Sequence, residues 1–399
     1  MKQHRFDLGL VFLPIVSILL QSVAWLSQSV DLIQVYTLDK ITGYYSASLV
    51  FKSVSDLFAR FNDLLPGLPY HVVSHPVGKV LVFKVASQVF ESPADLFAVR
   101  LVVAAVSSCS ALLVWQLAWR LWRSERSALL AGVLCALLPS VAFFSPLFDS
   151  FNVFLSVLLM LCWVCSIQAR SVKRRLAWSC LLGLVGYLSI FFAFNFLIIG
   201  IFLLGALPAL WVQAVGRDSF WKAVGGVVLV SLAILCVVGM SFYLATGYDL
   251  LDGLRASLEM DELVRPGQYR SFVSRLFNVQ ELLWGFGGLN FFLLTSVSAF
   301  VWLPRFRRQL SSASTSSCHW LGLDSPQLFL AAQVFCAALI NAIGVLSGET
   351  SRLYALFMPF LLVGLVGVLN SLSLRAAFTA VLGSALWIAV GVWRYQFIW

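Results

Sequence analysis

Residues 36–84 read YTLDKITGYYSASLVFKSVSDLFARFNDLLPGLPYHVVSHPVGKVLVFK. Nearly everything around this stretch is lipid-soluble, and this piece is not. It holds Asp39, the pair Tyr44-Tyr45, an amphipathic segment, the turn Pro66-Gly67-Leu68-Pro69, then His71 and His75-Pro76-Val77-Gly78-Lys79. An acidic residue beyond one apolar block, followed by a His-Pro turn into another helix, is poor linker material. It reads as half of an active site at a membrane face, with the rest of the chain as the wall that holds it.

Outward from this stretch, 60% of residues are hydrophobic and 11% charged, where a soluble domain carries roughly a quarter charged residues. The apolar residues come in blocks of about twenty, enough to cross a hydrocarbon core of ~30 Å. The fold class is therefore all-α, a polytopic integral membrane protein. A β-barrel would need short alternating segments instead. The hydropathy pattern places spans near 8–28, 97–119, 127–145, 150–168, 177–194, 196–214, 223–245, 283–304, 327–347, 353–371 and 377–396, about eleven in all. The first block is longer than a signal-peptide core and lacks a small-residue cleavage site, so it reads as a retained span. The whole of 1–399 reads as one transmembrane domain, with a first outer loop at 29–96 and a late outer loop at 246–282.

The net charge of +9 follows from topology rather than from a nucleic-acid partner. Short loops carrying Arg120, Arg123 and Arg126, Arg170 to Arg175, Arg217 and Lys222, and Arg305 to Arg308 are nearly free of acids and read as cytoplasmic. The N-terminus is then inside, and the loops with mixed charge, Gly and Pro share the outer face. The expected setting is a bacterial inner membrane with the site on the periplasmic or extracellular side. The eight cysteines lie in apolar spans or, for Cys318, in a cytoplasmic loop. Cys162-x-x-Cys165 has no thioredoxin-like context and reads as core filler.

Within the first loop, Leu49, Val50, Val54, Leu57, Phe58, Phe61 and Leu65 recur at helical spacing, opposite Lys52, Asp56 and Arg60. This predicts a helix lying in the interface, ended by Pro66-Gly67. A second helix is expected after Pro76, through Leu81 to Phe90.

Several residues here have the chemistry of a site. Asp39 is placed to act as a general base, and Asp31 competes with it. Pro76 holds His75 in extended geometry, and an imidazole there can bond a phosphate or shuttle a proton. His71 and His75 are four apart, but no third metal ligand is placed with them. Arg255, Arg265, Arg270 and Arg275 suit phosphate or diphosphate, or else balance Glu259, Asp261 and Glu262. Glu349 and Arg352 sit where two spans end, and Asp149 sits in a tight turn between spans. No phosphate-cradling Gly loop, H-E-x-x-H helix or G-x-S-x-G elbow occurs in the sequence, which argues against an NTPase, a zinc protease and a serine hydrolase.

Taken in order, these pieces resemble the GT-C class of glycosyltransferases, multispan enzymes that use polyprenyl-phosphate-linked sugars, such as protein O-mannosyltransferases and the aminoarabinose transferase of lipid A. Ser74-His75-Pro76-Val77-Gly78 is similar to the family's T-H-P-P-G, with valine for the second proline. Lys40 stands where a glutamate often follows the aspartate. Pro146-Leu147-Phe148-Asp149 is similar to a P-x-x-D turn. Tyr269-Arg270 with Phe277-Asn278 and Gly285-Phe286-Gly287, and Gly348-Glu349-Thr350-Ser351-Arg352 with Pro359, complete the series. The resemblance implies inverting transfer of a hexosyl or pentosyl group from a lipid-phosphate donor to a glycan, lipid or protein acceptor, among membrane lipids and without nucleic acid. It implies Asp39 as base. It implies substrate-binding roles for Tyr45, His75, Lys79, Asp149, Arg270, Glu349 and Arg352. Such transfer requires no cofactor; a divalent metal is compatible with it but not indicated.

Three other functions share some of these features. A transporter or flippase would place its site near the midplane, often within internal repeats, and no repeat is found. A ligase or polymerase of lipid-linked glycans would share the scaffold and the outer-face chemistry. A non-catalytic assembly subunit would tolerate replacement of Asp39 and Arg352.

Overall fold

The computed structural model describes residues 2–26, 36–37, 42–73, 75–142, 147–214, 217–264, 323–343, 354–369 and 381–387, with 279 and 286 as isolated positions. Asp31, Asp39, Arg270, Glu349 and Arg352 lie outside these residues, as do Arg265, Tyr269 and Arg275. The described residues form helices and no strand. Six helical stretches are long and apolar enough to span a membrane: Ala94–Trp122, Phe148–Gln168, Val172–Phe192, Phe196–Gln213, Ser219–Thr246 and Ser325–Ile343. Val11–Leu26 and Met358–Leu369 are shorter apolar helices. The expected span at 127–145 is broken, with a helix at Glu125–Ala136 and one turn at Pro139–Ala142.

The chain begins with α1 (Lys2–Leu26), which carries Pro14 inside it; neighbouring helices make such a proline tolerable in a membrane. The first loop supplies α2 (Tyr44–Val50), α3 (Val54–Leu64) and α4 (Gly78–Val89). Then come α5 (Ala94–Ser108), α6 (Ser110–Trp122), α7 (Glu125–Ala136), α8 (Phe148–Gln168), α9 (Val172–Phe192), α10 (Phe196–Gly205), α11 (Leu207–Gln213) and α12 (Arg217–Thr246). After α13 (Leu250–Val264), the described chain resumes at α14 (Ser325–Ile343) and α15 (Met358–Leu369).

The axis of the bundle is α8. It is apolar nearly all round, as a helix with neighbours on every side must be, and it packs against α5, α6, α9 and α12. Small residues let its neighbours close in. A Cβ on Gly183 of α9 would collide with the Ser231 carbonyl of α12. Ser231 Oγ donates to the Ser179 carbonyl at 3.0 Å across the same seam. On the other side, α14 and α15 pack together and α15 reaches α6 and α7. There Trp122 lies over Gly367, and its Nε1 donates to the Val363 carbonyl at 3.0 Å.

The amphipathic segment differs from the single expected helix. Phe51 leaves α2 in extended geometry, and Ser53 caps α3 by accepting from the Asp56 amide at 3.1 Å. The Asp56 carboxylate in turn accepts from the Lys52 amide at 2.8 Å and from Arg60 Nη1 at 3.2 Å, and these two bonds hold it below the usual range. The break puts Leu49 and Val50 on another helix, where they are 56% and 53% exposed. Leu57 and Phe61 are fully buried, with Phe61 against Phe51 and Tyr248. The apolar face of α3 is thus covered by protein: Phe58 meets Phe242 of α12 edge-on at 5.1 Å. The expected helix after Pro76 forms as α4.

Candidate active site

One end of α8 carries the chemistry. Asp149 lies in its first turn and is buried, where the helix dipole favours a carboxylate. The His-Pro turn of the first loop packs beside it. His75 Nδ1 lies 2.8 Å from the His71 carbonyl. A carbonyl only accepts, so Nδ1 carries the proton and Nε2 the lone pair. Burial pushes the His75 pKa well below the usual imidazole range, and Lys79 pushes it further; Asp149 and the His71 carbonyl act against them. At neutral pH the ring is therefore an uncharged hydrogen-bond acceptor at Nε2.

Lys79, one turn beyond His75, is only 1% exposed. Its Nζ donates to the Tyr44 hydroxyl at 3.3 Å and sits 5.2 Å from the centre of that ring. Tyr44 in turn meets His75 edge-on at 5.9 Å and Phe148 at 6.4 Å. Three segments apart in sequence, α2, the His-Pro turn and the start of α8, thus meet around the buried Lys79 side chain.

Gly78 makes this approach possible. A Cβ there would run into the Phe191 carbonyl and ring, so only glycine lets α4 begin against the end of α9. The sequence motif is thereby a packing device as well as a source of side chains. Aromatic rings fill the space beneath it: Phe148 stacks on Phe192 at 6.1 Å and meets Phe83 at 5.9 Å.

The loop after α12 closes on the same end. Tyr248 Oη accepts from the Val77 amide at 3.4 Å, and Asn62 Nδ2 donates to the Asp249 carbonyl at 2.8 Å. Burial pushes the Tyr248 hydroxyl pKa up. Of the three mixed-charge loops expected to converge, the first loop and the start of the late one, at Tyr248 and Asp249, are in contact. The turn at 348–352 lies outside the described residues.

Of the candidate residues, the structure brings His75, Lys79 and Asp149 together. It places Tyr45 apart from them, with its hydroxyl toward Ser92 and Asp95 and its ring 6.0 Å from Phe83. Burial raises the Tyr45 pKa. Arg255 pairs with Asp252 at 3.2 Å in an exposed i,i+3 contact. One further residue emerges, and Asn152, which the sequence already sets near Asp149, finds its place. Tyr44 was visible in sequence only as one of a pair. Asn152, on the same face of α8 as Asp149, is buried with an Oδ1 that takes no hydrogen bond. No group of three or more His, Cys, Asp or Glu comes together among the described residues.

No family model matches this sequence, and no curated protein matches it. Solved structures do match in fold. The Archaeoglobus fulgidus oligosaccharyltransferase, a complex with Zn and sulfate, superposes with a TM-score of 0.53 at 16% identity, over 94% of this chain and 53% of that one. ArnT from Cupriavidus metallidurans, in the apo state, superposes with a TM-score of 0.51 at 17% identity, over 87% of this chain and 61% of that one. Both are GT-C glycosyltransferases. The chain is an integral membrane protein with the GT-C fold, and it spans between half and two thirds of these neighbours' lengths.

Proposed function

We propose that this protein is a GT-C-type glycosyltransferase that moves a sugar from a polyprenyl-phosphate donor to an acceptor hydroxyl at the membrane face holding His75, Lys79 and Asp149. The observation that carries this reading is the buried Lys79 ammonium, held by Tyr44 beside the His-Pro turn, in a chain with this fold. A fixed cation in a site shielded from water stabilises charge far better than one in solvent. The group that needs it is the leaving phosphate.

In this reading the acceptor oxygen attacks the anomeric carbon from the face opposite the leaving group. The new C–O bond forms as the bond from that carbon to the phosphate oxygen breaks. The electron pair leaves with the polyprenyl phosphate, and configuration inverts. The acceptor proton goes to Asp39, which precedes Tyr44 by five positions. Lys79, Arg270 and Arg352 hold the phosphate, and Glu349 orients Arg352 or a sugar hydroxyl. Asp149 completes the substrate-binding set; Tyr45, its hydroxyl engaged by Ser92 and Asp95, is left out of it. His75, neutral with its lone pair on Nε2, accepts a hydrogen bond from a donor or acceptor hydroxyl and does not neutralise phosphate. The site faces the periplasmic or extracellular side of a bacterial inner membrane, with the N-terminus inside.

The test is transfer in proteoliposomes, using radiolabelled polyprenyl-phosphate sugars and a mixed acceptor extract. Wild-type protein transfers label, and Asp39→Asn, folded as judged by its thermal midpoint, does not. Equal transfer by both moves the base to Asp31 or His75. No transfer from any donor, with lipid-linked sugar crossing between leaflets, replaces the enzyme by a transporter.

A further inference from the structure

At the other end of α8, some 30 Å away by the 1.5 Å rise of a 21-residue helix, the bundle opens into a cleft of about 940 Å³. Five basic side chains line it: Arg120, Arg123, Arg170, Arg175 and Lys222. No acidic residue is among its lining. The tendency of cytoplasmic loops to collect Lys and Arg explains basic residues at this end. It does not explain their convergence from the ends of four helices on one concavity.

The helix ends around the cleft are arranged so that they do not repel an anion. Carbonyls at the C-terminal ends of helices carry partial negative charge, and here protein donors occupy them. Gln213 Nε2 donates to the Leu121 carbonyl at 3.0 Å, and Gln168 Nε2 lies 3.4 Å from that of Arg120. Arg175 Nη2 donates to the Ala169 carbonyl at 3.0 Å. The Arg175 Nε–H, a buried donor at the cleft wall, has no partner. Positive charge, blocked carbonyls and a waiting guanidinium donor together call for an oxyanion.

The surroundings say where that oxyanion comes from. Leu121, Ile167, Leu210 and Phe220 give the cleft apolar walls. It borders α12, whose membrane-length stretch is the least buried of the six. Trp221, next to Lys222, is 55% exposed, as expected of an indole at the headgroup level. We propose that this cleft binds the phosphate headgroup of an anionic phospholipid from the leaflet opposite the His75 site, its glycerol and acyl ends lying along α12. Basic pockets between span ends are suited to such lipids.

The full-length chain, purified in neutral detergent, is tested with dioleoyl phosphatidylglycerol, dioleoyl phosphatidylcholine and inorganic phosphate. Lipid retention is read by native mass spectrometry, together with the thermal midpoint. Phosphatidylglycerol is retained and raises the midpoint; phosphatidylcholine does neither. Arg175→Gln with Lys222→Gln weakens retention on the order of tenfold. Lys173→Gln with Arg174→Gln removes the same charge from the same end, outside the cleft lining, and leaves retention unchanged. Arg120→Gln with Lys222→Gln serves if the first pair does not fold. Equal loss in the two charge-matched pairs overturns the cleft in favour of a diffuse basic surface. Competition by inorganic phosphate at the concentration of the lipid overturns the lipid in favour of a soluble phosphate. Equal retention of phosphatidylcholine overturns the proposal outright.

Discussion

The two ends of α8 solve opposite electrostatic problems. At the Asp149 end Lys79 is buried and its position is set by Tyr44, the His-Pro turn and a floor of aromatic rings. At the Gln168 end several basic side chains stand around an open cleft, most of them exposed. Few charges held rigidly away from water suit chemistry, because the local field is strong and needs no reorganisation. Many charges near water suit retention of a ligand, because each contributes little and salt screens it. One helix separates the two regimes.

The comparison breaks most readily at Lys79. Lys79→Met keeps the length of the side chain and removes the charge. Sugar transfer is expected to fall about 100-fold or more, while phosphatidylglycerol retention at the far end is untouched. Loss of both would mean that the ends are not independent.

Gly78→Ala tests whether the site end is rigid. The added methyl meets the Phe191 carbonyl, and overpacking of this kind costs about 1–3 kcal/mol. The thermal midpoint is expected to drop, and transfer with it, because His75 and Lys79 flank the shifted residue. The tyrosine pair gives a finer test. Tyr44→Phe removes the hydroxyl that holds Lys79 and should reduce transfer roughly tenfold, the loss of one hydrogen bond to a charged group. Tyr45→Phe, whose hydroxyl faces Ser92 and Asp95, should reduce it less, as kinetics of the two variants will show.

His75 gives the site end a pH signature. Its folded pKa lies below the unfolded one, so between those values the unfolded chain binds more protons. Stability is then unaffected above the ordinary imidazole range and falls as pH drops through it, by at most about 1.4 kcal/mol per pH unit. Thermal midpoints between pH 7.5 and 5 should fall more steeply for the wild type than for His75→Gln. The smallest expected effect is at Ser53. Ser53→Ala loses the cap of α3 and about 1 kcal/mol, seen as a lower midpoint with little change in transfer.

Much of the fold was legible because hydropathy is local. A run such as Phe148–Gln168 must be a helix in lipid whatever its neighbours are. The span at 127–145 was less legible: it breaks after Ala136, ahead of Pro139, and hydropathy does not see the break. The single amphipathic helix was misread for a related reason. Helical spacing runs through Phe51–Ser53, but the Ser53 cap and buried Phe51 divide it. In the site, His75, Lys79 and Asp149 were legible as unusual polar residues in an apolar chain. Tyr44 was not separable from Tyr45, because adjacent helix positions point about 100° apart and only packing says that Tyr44 meets Lys79 and His75 while Tyr45 turns to Ser92 and Asp95.

By itself, then, the sequence determined that this is a helical membrane protein and where six of its membrane-length helices lie. Those follow from transfer free energies, which each segment carries alone. Only the tertiary structure decided that Lys79 is buried against Tyr44, that Gly78 must be glycine because Phe191 lies over it, and that basic residues from Arg120 to Lys222 share one cleft. These depend on distances between segments up to a hundred or more residues apart, which are set by helix packing and not by any local preference.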